Sequence, residues 1–298
     1  MAVLASTMRS QTKIFITIFF AILTLSNSAW SKSPVWKVSD QDNYFYLGGT
    51  VHLLSKQDYP LPTAFDTAYA DSEVLVTETD MTVIQNLQFQ QSMLKRLMYQ
   101  DGTTLKQVLS ASTFNELAAF CEDRGIPLNA VIRFKPGMAA TMLTTFELKR
   151  LAITGEGVDA HYAKRARKDQ LGKKFLETPE QQIDFLENMG KGKEDALILY
   201  TLKESEGLDE WFKQMILYWR NGNVSGLEEL GYTPYLDEFS ALIDSLLINR
   251  NHDWIDQLQG MMQSPEKELV LVGALHLVGE QGLIKLLEKQ GYTLQQLD

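Results

Sequence analysis

The chain has 298 residues and a formal net charge of −10, with 45% hydrophobic and 22% charged residues. This composition is typical of a globular protein with a sizeable core, and it excludes a disordered, collagen-like or coiled-coil chain. The acidic balance argues against nucleic acid as a partner. The single cysteine excludes a disulfide framework or a cysteine-rich zinc module.

The beginning of the chain has the pattern of a secretory signal peptide. Arg9 and Lys13 precede an apolar run over residues 14–25, and small residues follow that run. The run is shorter than the roughly 20 residues that a membrane-spanning helix needs. We therefore predict a cleaved signal peptide over residues 1–31 and an exported protein, periplasmic or secreted, with no stable membrane anchor after cleavage.

The remaining residues, 32–298, contain no long linker and no low-complexity segment, so we predict a single domain. Four short apolar runs, each followed by a glycine or a polar break, predict β-strands. These runs lie at residues 44–47, 74–77, 174–176 and 269–272. Nearly everything between them has the pattern of helices. This alternation predicts an α/β fold with a central mixed or mostly parallel sheet flanked by many helices.

Two helix boundaries are marked by their local sequence. Thr178, Pro179 and Gln181 form a capping box with proline at the first helical position, which predicts that a helix begins there. Leu283 starts an apolar helical face that stops before Gly291. Glycine suits the left-handed position just beyond a helix end, so this helix is predicted to end there.

Three further features are predicted to be structural. The densest basic stretch, residues 164–174, is interpreted as one solvated face of a helix. Cys121 lies in a helical run and is predicted to be a small packed residue. Asp159 and His161 stand near a helix start, where an aspartate caps well and a histidine is exposed to solvent.

The sequence contains an internal repeat of the pattern Gly-x-x-His-Leu. It occurs from Gly49 to Leu53 and again from Gly273 to Leu277, each time directly after a predicted strand. Glycine lets the chain turn sharply, and the histidine then follows the carboxyl end of the strand. In parallel sheets those strand ends share one edge, where ligands bind. The repeat therefore predicts that two histidines lie at a common site, although each alone is also typical of a structural histidine.

Two carboxylates occupy matching positions, since Glu78 and Glu177 directly follow the second and third predicted strands. If all four strands are parallel, both glutamates meet His52 and His276 at one edge of the sheet. Imidazole and carboxylate together are a ligand set for zinc, manganese or cobalt. Such a metal lowers the pKa of its bound water, and a second carboxylate can then take the proton. Taken singly, each glutamate is also typical of a solvated carboxylate or a helix cap.

An arginine interrupts an apolar helical stripe near the end of the chain. Arg250 takes the missing place in the stripe, and an inward-facing arginine needs an anionic or carbonyl partner. We predict that Arg250 binds a ligand carboxylate or a developing oxyanion, with Asn251 as a neutral donor beside it. A bridge from Arg250 to a surface acid is the alternative. The stripe consists of Phe239, Ile243, Leu246, Trp254, Leu258 and Met261.

These motifs, in this order, resemble the TraB/GumN family, which is related to the Tiki membrane metalloproteases. The resemblance implies an α/β fold distinct from the serine α/β-hydrolases and a site built from both histidines and Glu78. For the Tiki branch it implies a peptidase dependent on a divalent metal. The wider group implies erythromycin-esterase-type hydrolases and haem-binding lipoproteins as alternatives. The matching segments are residues 47–52, 76–78, 157–161, 176–181, 250–254 and 272–279.

The first functional hypothesis is an exported hydrolase that depends on a divalent transition metal (Mn, Co or Zn) and acts on a peptide or protein substrate. His52, Glu78 and His276 would hold the metal or orient its water. The other predicted roles are a base or second ligand for Glu177, and positioning of the substrate carbonyl for Arg250 and Asn251.

Two alternatives use the same edge of the sheet. One is a binding protein for haem or another small ligand, with histidine as axial ligand and no turnover. The other is an esterase-like hydrolase without a metal, in which histidine is the general base. Activity that survives a strong chelator distinguishes the last of these from the first hypothesis.

Overall fold

Strands form two sheets in the computed structural model, which describes residues 32–231 and 240–298. The predicted signal peptide over residues 1–31 lies outside the described residues. No helix of the described segments is long and apolar enough to cross a membrane. The strands are β1 (Val35–Ser39), β2 (Tyr44–Thr50), β3 (Leu53–Leu54), β4 (Val74–Thr77), β5 (Gly155–Glu156), β6 (Gly172–Phe175), β7 (Glu268–Gly273) and β8 (Thr293–Gln296).

The main sheet has the strand order β6-β4-β7-β2-β1-β8. Its first four strands are all parallel, and they are the four strands predicted from the sequence. β4 and β7 are buried along nearly their whole length, as is typical of parallel strands covered by helices on both faces. The prediction of an α/β fold with a mostly parallel sheet is confirmed.

Two strands of the main sheet were not predicted. β1 pairs antiparallel with β2, and β8 pairs antiparallel with β1 at the far edge. Lys37 interrupts the apolar run of β1, and β8 contains two glutamines, so neither segment shows a clear strand pattern. Pairing of β1 with β2, and of β8 with β1, decides their structure, rather than local propensity. β3 and β5 form a separate two-stranded ladder.

Helices occupy most of the remaining described chain. Those before β6 are α1 (Thr63–Asp71), α2 (Met81–Ile84), α3 (Leu87–Leu97), α4 (Leu105–Val108), α5 (Ala111–Asp123), α6 (Pro136–Arg150) and α7 (Val158–Asp169). Those after β6 are α8 (Pro179–Asn188), α9 (Glu194–Glu206), α10 (Leu208–Arg220), α11 (Val224–Gly231), α12 (Ser240–Ile243), α13 (Asn249–Met261) and α14 (Leu283–Lys289). A π-helical turn, Asp244–Ile248, joins α12 to α13.

Both predicted helix boundaries are confirmed. The Thr178 hydroxyl accepts a hydrogen bond from the backbone of Gln181, and the side chain of Gln181 accepts one from the backbone of Thr178, so α8 begins with a capping box. α14 ends at Lys289, and Gly291 beyond it has a φ of +91°, which glycine adopts without strain.

The basic stretch over residues 164–174 is not one helix face, so that prediction was wrong. α7 ends at Asp169, and Gln170 takes a left-handed conformation with a φ of 58°. The chain then turns into β6, whose four residues are all exposed at the edge of the sheet. The basic side chains are therefore divided between a helix and a strand.

The core has one large cluster around the main sheet and a second one among the helices. Trp219, Trp254 and Phe45 belong to the large cluster, and all three are almost fully buried. The second cluster lies among α4, α5, α6 and α9 and contains Cys121, which is 1% exposed. The predicted packing role of Cys121 is confirmed, and burial raises the pKa of its thiol to about 11.

Candidate functional site

The two Gly-x-x-His motifs lie side by side because they follow two neighbouring parallel strands. β2 and β7 pair in a register that places Thr50 opposite Gly273, so both chains turn at the same edge of the sheet. A Cβ atom on Gly49 would come within 2.7 Å of the Leu277 side chain. Glycine at this position therefore lets the first motif pack directly against the second.

The predicted residues meet around Gly273. A Cβ atom built on Gly273 would lie 3.4 Å from Glu78 Oε1, 3.6 Å from His52 Nε2 and 3.6 Å from the His276 ring. Glu177 joins them, since its backbone N–H donates to the backbone oxygen of Glu78 over 2.9 Å. We call His52, Glu78, Glu177 and His276 the rim, because they follow the carboxyl ends of β2, β4, β6 and β7.

Glu78 is held by both of its carboxylate oxygens. Oε1 accepts a hydrogen bond of 2.7 Å from the backbone N–H of Gly273, and Oε2 accepts one of 2.6 Å from Arg250. Burial alone raises the pKa of Glu78, but the cationic groups around it and the N–H of Gly273 outweigh burial and hold the pKa at about 2. The carboxylate is therefore ionised throughout the physiological range.

Arg250 joins three of the four rim residues, Glu78, Glu177 and His276, into one hydrogen-bonded network. Its Nη1 contacts His276 Nε2 at 3.1 Å and donates to the backbone oxygen of Leu246 at 3.0 Å. Its Nη2 donates to Glu78 over 2.6 Å and to Glu177 over 2.5 Å, and its Nε donates to Glu177 over 3.0 Å. All five N–H groups of the guanidinium are thus directed at acceptors of the protein.

Glu177 is a partner of Arg250 and is almost fully buried. Besides the two-pronged contact with the guanidinium, its Oε1 accepts a hydrogen bond of 3.0 Å from Gln182. The rings of Phe185 and Trp254 lie 5.2 Å and 4.8 Å from the guanidinium carbon and cover it. Two glutamates therefore share one arginine in a buried network. Loss of the arginine would destabilise the folded protein, because it would leave the carboxylates buried without a cation.

The hydrogen bonds of His276 fix its tautomer. Asn251 donates through Nδ2 to the backbone oxygens of His276 and Gln281, so its Oδ1 is free to accept from His276 Nδ1 at 2.7 Å. The Nδ1 atom therefore carries the proton, and Nε2 accepts from Arg250. Burial and the positive charge of Arg250 lower the pKa of His276 to about 3, so the ring is neutral.

His52 pairs with Asp159, which is 107 residues away in the sequence, over 3.2 Å between Nδ1 and Oδ1. Desolvation lowers the pKa of His52. The charge and hydrogen bond of Asp159 and the charge of Glu78 outweigh desolvation, so the pKa is raised to about 9. The His52 side chain is 62% exposed, so solvent weakens the desolvation, and the carboxylates set the upward direction.

Asp159 is the residue of the site that reasoning from the residue pattern missed. It was predicted to cap a helix, but Gly157 occupies the cap of α7, which has no side-chain cap. A Cβ atom on Gly157 would lie 2.2 Å from the backbone oxygen of His52, and the N–H of Val158 donates to the oxygen of Val51. The start of α7 thus packs against the turn that carries His52. Only the family resemblance over residues 157–161 marked this segment.

A pocket of about 280 Å³ opens beside His52 and Glu78. We call it the first pocket. Among the described residues, the buried hydroxyls of Thr50 and Thr79, two of its lining residues, have no hydrogen-bond partner. The lining residues are Thr50, His52, Thr77, Glu78, Thr79, Met81, Ile84, Asp159, Ala160, Gln182 and Leu271.

Protein N–H groups already engage two of the three predicted metal ligands, Glu78 and His276. Within the segments that the structure describes, no group of three or more His, Cys, Asp or Glu residues is placed to hold a metal ion. His276 Nε2 accepts from Arg250, and both oxygens of Glu78 accept N–H groups. His276 Nε2 lies 4.0 Å from Glu78 Oε1.

Comparison with known proteins supports the resemblance. The TraB/PrgY/gumN family matches residues 34–296. Uncharacterized protein YbaP of Escherichia coli (strain K12) is 26% identical over 252 residues, which cover 83% of this chain and 88% of that protein. Uncharacterized protein YbaP of Shigella flexneri is 25% identical over the same length. No solved structure matches the chain. With its family match extending over nearly the whole described chain, the protein belongs to the TraB/PrgY/gumN family.

Proposed function

We propose that the protein is an exported hydrolase that cleaves peptide bonds with His52 as its general base. The observation that carries this proposal is the pairing of His52 with Asp159 at the mouth of the first pocket. Binding of Nδ1 to a carboxylate orients the ring and leaves Nε2 available to take a proton, which is the arrangement that base catalysis needs.

The chemistry requires one proton to move to His52 and back. Neutral His52 takes a proton at Nε2 from a water molecule as the water oxygen adds to the substrate carbonyl carbon. The imidazolium then gives that proton to the leaving nitrogen as the carbon–nitrogen bond breaks. Asp159 stabilises the imidazolium by its charge. Glu78 adds to this effect, because its Oε1 and the Nε2 of His52 both lie close to Gly273.

Arg250 is a positioning residue in this proposal. Its five N–H groups already have acceptors in the protein, so it acts on the reaction through Glu78, Glu177 and His276. Asn251 supports it by fixing the tautomer of His276, because only the unprotonated Nε2 of that ring accepts from Arg250. The network thereby keeps the Glu78 carboxylate beside His52.

A peptide is the favoured substrate because the site adjoins a sheet edge that has no further strand among the described residues. β6 is the last strand of the main sheet, and all four of its residues are exposed. An extended peptide can add to such an edge through backbone hydrogen bonds. Small-molecule esters gain nothing from this feature.

Alanine substitution of His52 tests the proposed role directly. The full chain and its His52→Ala variant are incubated with mixed peptides, and new termini are counted by mass spectrometry. We expect the variant to lose activity by about 10²- to 10⁴-fold, the usual range for a general base. The exposed His252 provides a matched control, and His252→Ala is expected to keep full activity. Equal activity of the two variants would contradict the proposal.

Export rests on the sequence of residues 1–31 alone. Fractionation of cells that produce the full chain, followed by N-terminal sequencing, tests it. We expect the exported fraction to contain a chain shortened near Ser31. Full-length protein confined to the cytoplasmic fraction would contradict export and leave the proposed chemistry unaffected.

A metal-dependent peptidase is the second candidate, favoured by the meeting of His52, Glu78 and His276 around Gly273. It requires Arg250 to release His276. Metal content of protein purified from manganese-, cobalt- and zinc-supplemented cultures tests it. Stoichiometric metal in the unaltered protein, and loss of that metal in His276→Ala, would support this candidate over the first.

A further inference from the structure

A second pocket adjoins the first pocket along β4 and α7. The two share the lining residues Thr77, Met81 and Ala160, so they are direct neighbours. The second pocket has a volume of about 270 Å³, similar to that of the first. We therefore ask what part of a substrate longer than the first pocket the second pocket would bind.

Three cationic side chains line the second pocket. Lys164 and Arg167 come from α7, and Lys173 comes from β6. In the described part of the chain, no ion pair or hydrogen bond engages any of these three side chains, and all three are exposed. They belong to the basic stretch that the turn after α7 divides, so the turn brings cations from two elements to one pocket.

The acidic residues of the second pocket do not neutralise these cations. Asp80 caps α2, with Oδ1 accepting from the backbone and the hydroxyl of Thr82. Glu156 lies 3.9 Å from His161. Three cations against two acids leave the pocket with a positive excess, in a chain whose net charge is −10. This local reversal of sign favours an anionic group in the pocket.

The cations lie at a defined distance from the first pocket. Ala160 lines both pockets, and Lys164 and Arg167 follow it on the same helix. At 1.5 Å per residue they are about 6 Å and about 10 Å further along the helix axis. An extended peptide covers about 3.3 to 3.6 Å per residue, so this separation corresponds to two or three residues.

We propose that the second pocket binds a carboxylate carried by the substrate two or three residues from the bond that is cleaved. The inference rests on the proposed hydrolase function for its reacting end, and it names acidic peptides as the substrate class. Leu75, Met81 and Phe175 provide an apolar wall in the same pocket. That wall suits the methylene groups of a glutamate side chain, while the guanidinium of Arg167 suits its carboxylate.

Peptides that differ in a single side chain test the inference. Otherwise neutral octapeptides carry Glu, Gln, Lys or phosphoserine at the second or third residue on either side of a fixed central bond. We expect the glutamate peptide to be cleaved with a kcat/KM about fivefold above that of the glutamine peptide, as suits solvent-exposed ion pairs. The lysine peptide should be the poorest substrate. Preference for phosphoserine over glutamate would identify a phosphate group as the ligand instead of a carboxylate, and would overturn the proposal.

Variants of the cations provide the second arm. Arg167→Gln and Lys164→Gln are expected to lower the kcat/KM of the glutamate peptide to that of the glutamine peptide, so that the preference for glutamate disappears. Lys168 is exposed on the same helix outside the pocket, so Lys168→Gln is the matched control and should keep the preference. The same loss of preference in the control would show that net charge, and not the second pocket, causes the preference. That result would contradict the inference.

Binding to the His52→Ala variant separates this inference from the proposed function. We expect fluorescent glutamate peptide to bind this variant about fivefold more tightly than glutamine peptide, with the difference shrinking as salt is raised. Charge-selective binding without hydrolysis by the unaltered protein would overturn the proposed function alone. Hydrolysis without any charge preference, or equal binding of both peptides, would overturn the inference.

Discussion

Asp159 and His52 form a carboxylate–imidazole pair with 3.2 Å between Oδ1 and Nδ1, and the pair lies at the edge of the sheet where the four parallel strands end. The side chain of Asp159 is 15% exposed, whereas that of His52 is 62% exposed. A fixed acid thus orients a ring that solvent and substrate can reach.

The pH dependence of hydrolysis is expected to follow the titration of His52. Desolvation lowers the pKa of His52, but Asp159 and Glu78 outweigh this effect and raise the pKa to about 9. The neutral ring is the base. Activity should therefore increase with pH through that range. Asp159→Asn removes a charge that favours the imidazolium, so the pKa of His52 falls and the rise in kcat/KM moves to lower pH.

A pH–rate profile of Asp159→Asn beside Asp253→Asn checks this prediction. Asp253 is exposed on α13 and lines neither of the two pockets, and its substitution removes the same formal charge. The control should keep the profile of the unaltered protein. A profile of Asp159→Asn that moves to higher pH, or does not move, contradicts the pairing as the cause of the raised pKa.

Removal of the arginine is expected to destabilise the protein severely. Arg250→Met leaves Glu78 and Glu177 as buried carboxylates without their cation, and breaking such a network costs about 3 to 5 kcal/mol in the free energy of unfolding. Urea unfolding measures this. The exposed Arg133 offers a control, since Arg133→Met should change stability by less than about 0.5 kcal/mol.

A double variant separates buried charge from lost packing. Arg250→Met combined with Glu177→Gln removes one of the two uncompensated charges, so it should be more stable than Arg250→Met alone. If the double variant is the less stable of the two, the effect of Arg250 comes from packing against Phe185 and Trp254 instead of from charge.

The two motif glycines are expected to respond differently to alanine. A Cβ atom on Gly273 has ordinary contact distances of 3.4 to 3.6 Å to Glu78, His276 and His52, and its φ of −52° suits any residue. Gly273→Ala should therefore fold with little loss of stability but lose activity, because the methyl group occupies the meeting point of the rim. Thermal unfolding and kcat/KM together measure both effects.

Gly49→Ala serves as the contrasting variant. Its Cβ atom would lie 2.7 Å from Leu277 and 3.2 Å from the backbone of Ala274. Such overpacking typically costs about 1 to 3 kcal/mol in the free energy of unfolding. The reverse result would contradict the packing described for the two motifs. In that result, Gly273→Ala strongly lowers the free energy of unfolding and Gly49→Ala leaves it unchanged.

A buried glutamate is expected to make stability depend on pH. Glu268 is 0% exposed at the start of β7, and burial raises its pKa despite Lys174 at 3.0 Å. Its protonated form is thus favoured in the folded state. The contribution to stability is complete below the ordinary carboxyl pKa and is lost as pH rises through the raised pKa.

Glu268→Gln cannot ionise, so its stability relative to the unaltered protein should increase as pH rises from the acid range towards neutrality. Urea unfolding at several pH values measures the difference. Glu266→Gln, which also removes a partner of Lys174 but at an exposed position, should show no such trend. A relative stability of Glu268→Gln that falls with pH would contradict the upward shift.

Much of the site could be predicted because two local rules are sufficient for it. Polar residues that follow strands within a few positions, such as Glu78 and His276, lie at the sheet edge wherever those strands are parallel, and here all four are parallel. The inward position of Arg250 followed from the apolar stripe, and the structure gives it two carboxylate partners within the protein.

The partner of His52 could not be derived from the residue pattern. It depends on how the start of α7 packs against the turn after β2, and that contact needs Gly157 to approach the backbone of His52. The tautomer of His276 likewise depends on two backbone oxygens that accept from Asn251. Such tertiary contacts leave no period or spacing in the sequence.

Hydrolysis by protein freed of metal tests the role of His52 most directly. The unaltered protein and His52→Ala are dialysed against a strong chelator, their metal content is measured, and peptide cleavage is followed at a pH above 9. We predict full activity for the metal-free unaltered protein and a loss of about 10²-fold or more for His52→Ala. Inactivity of the metal-free protein that manganese, cobalt or zinc restores would contradict base catalysis by His52 alone.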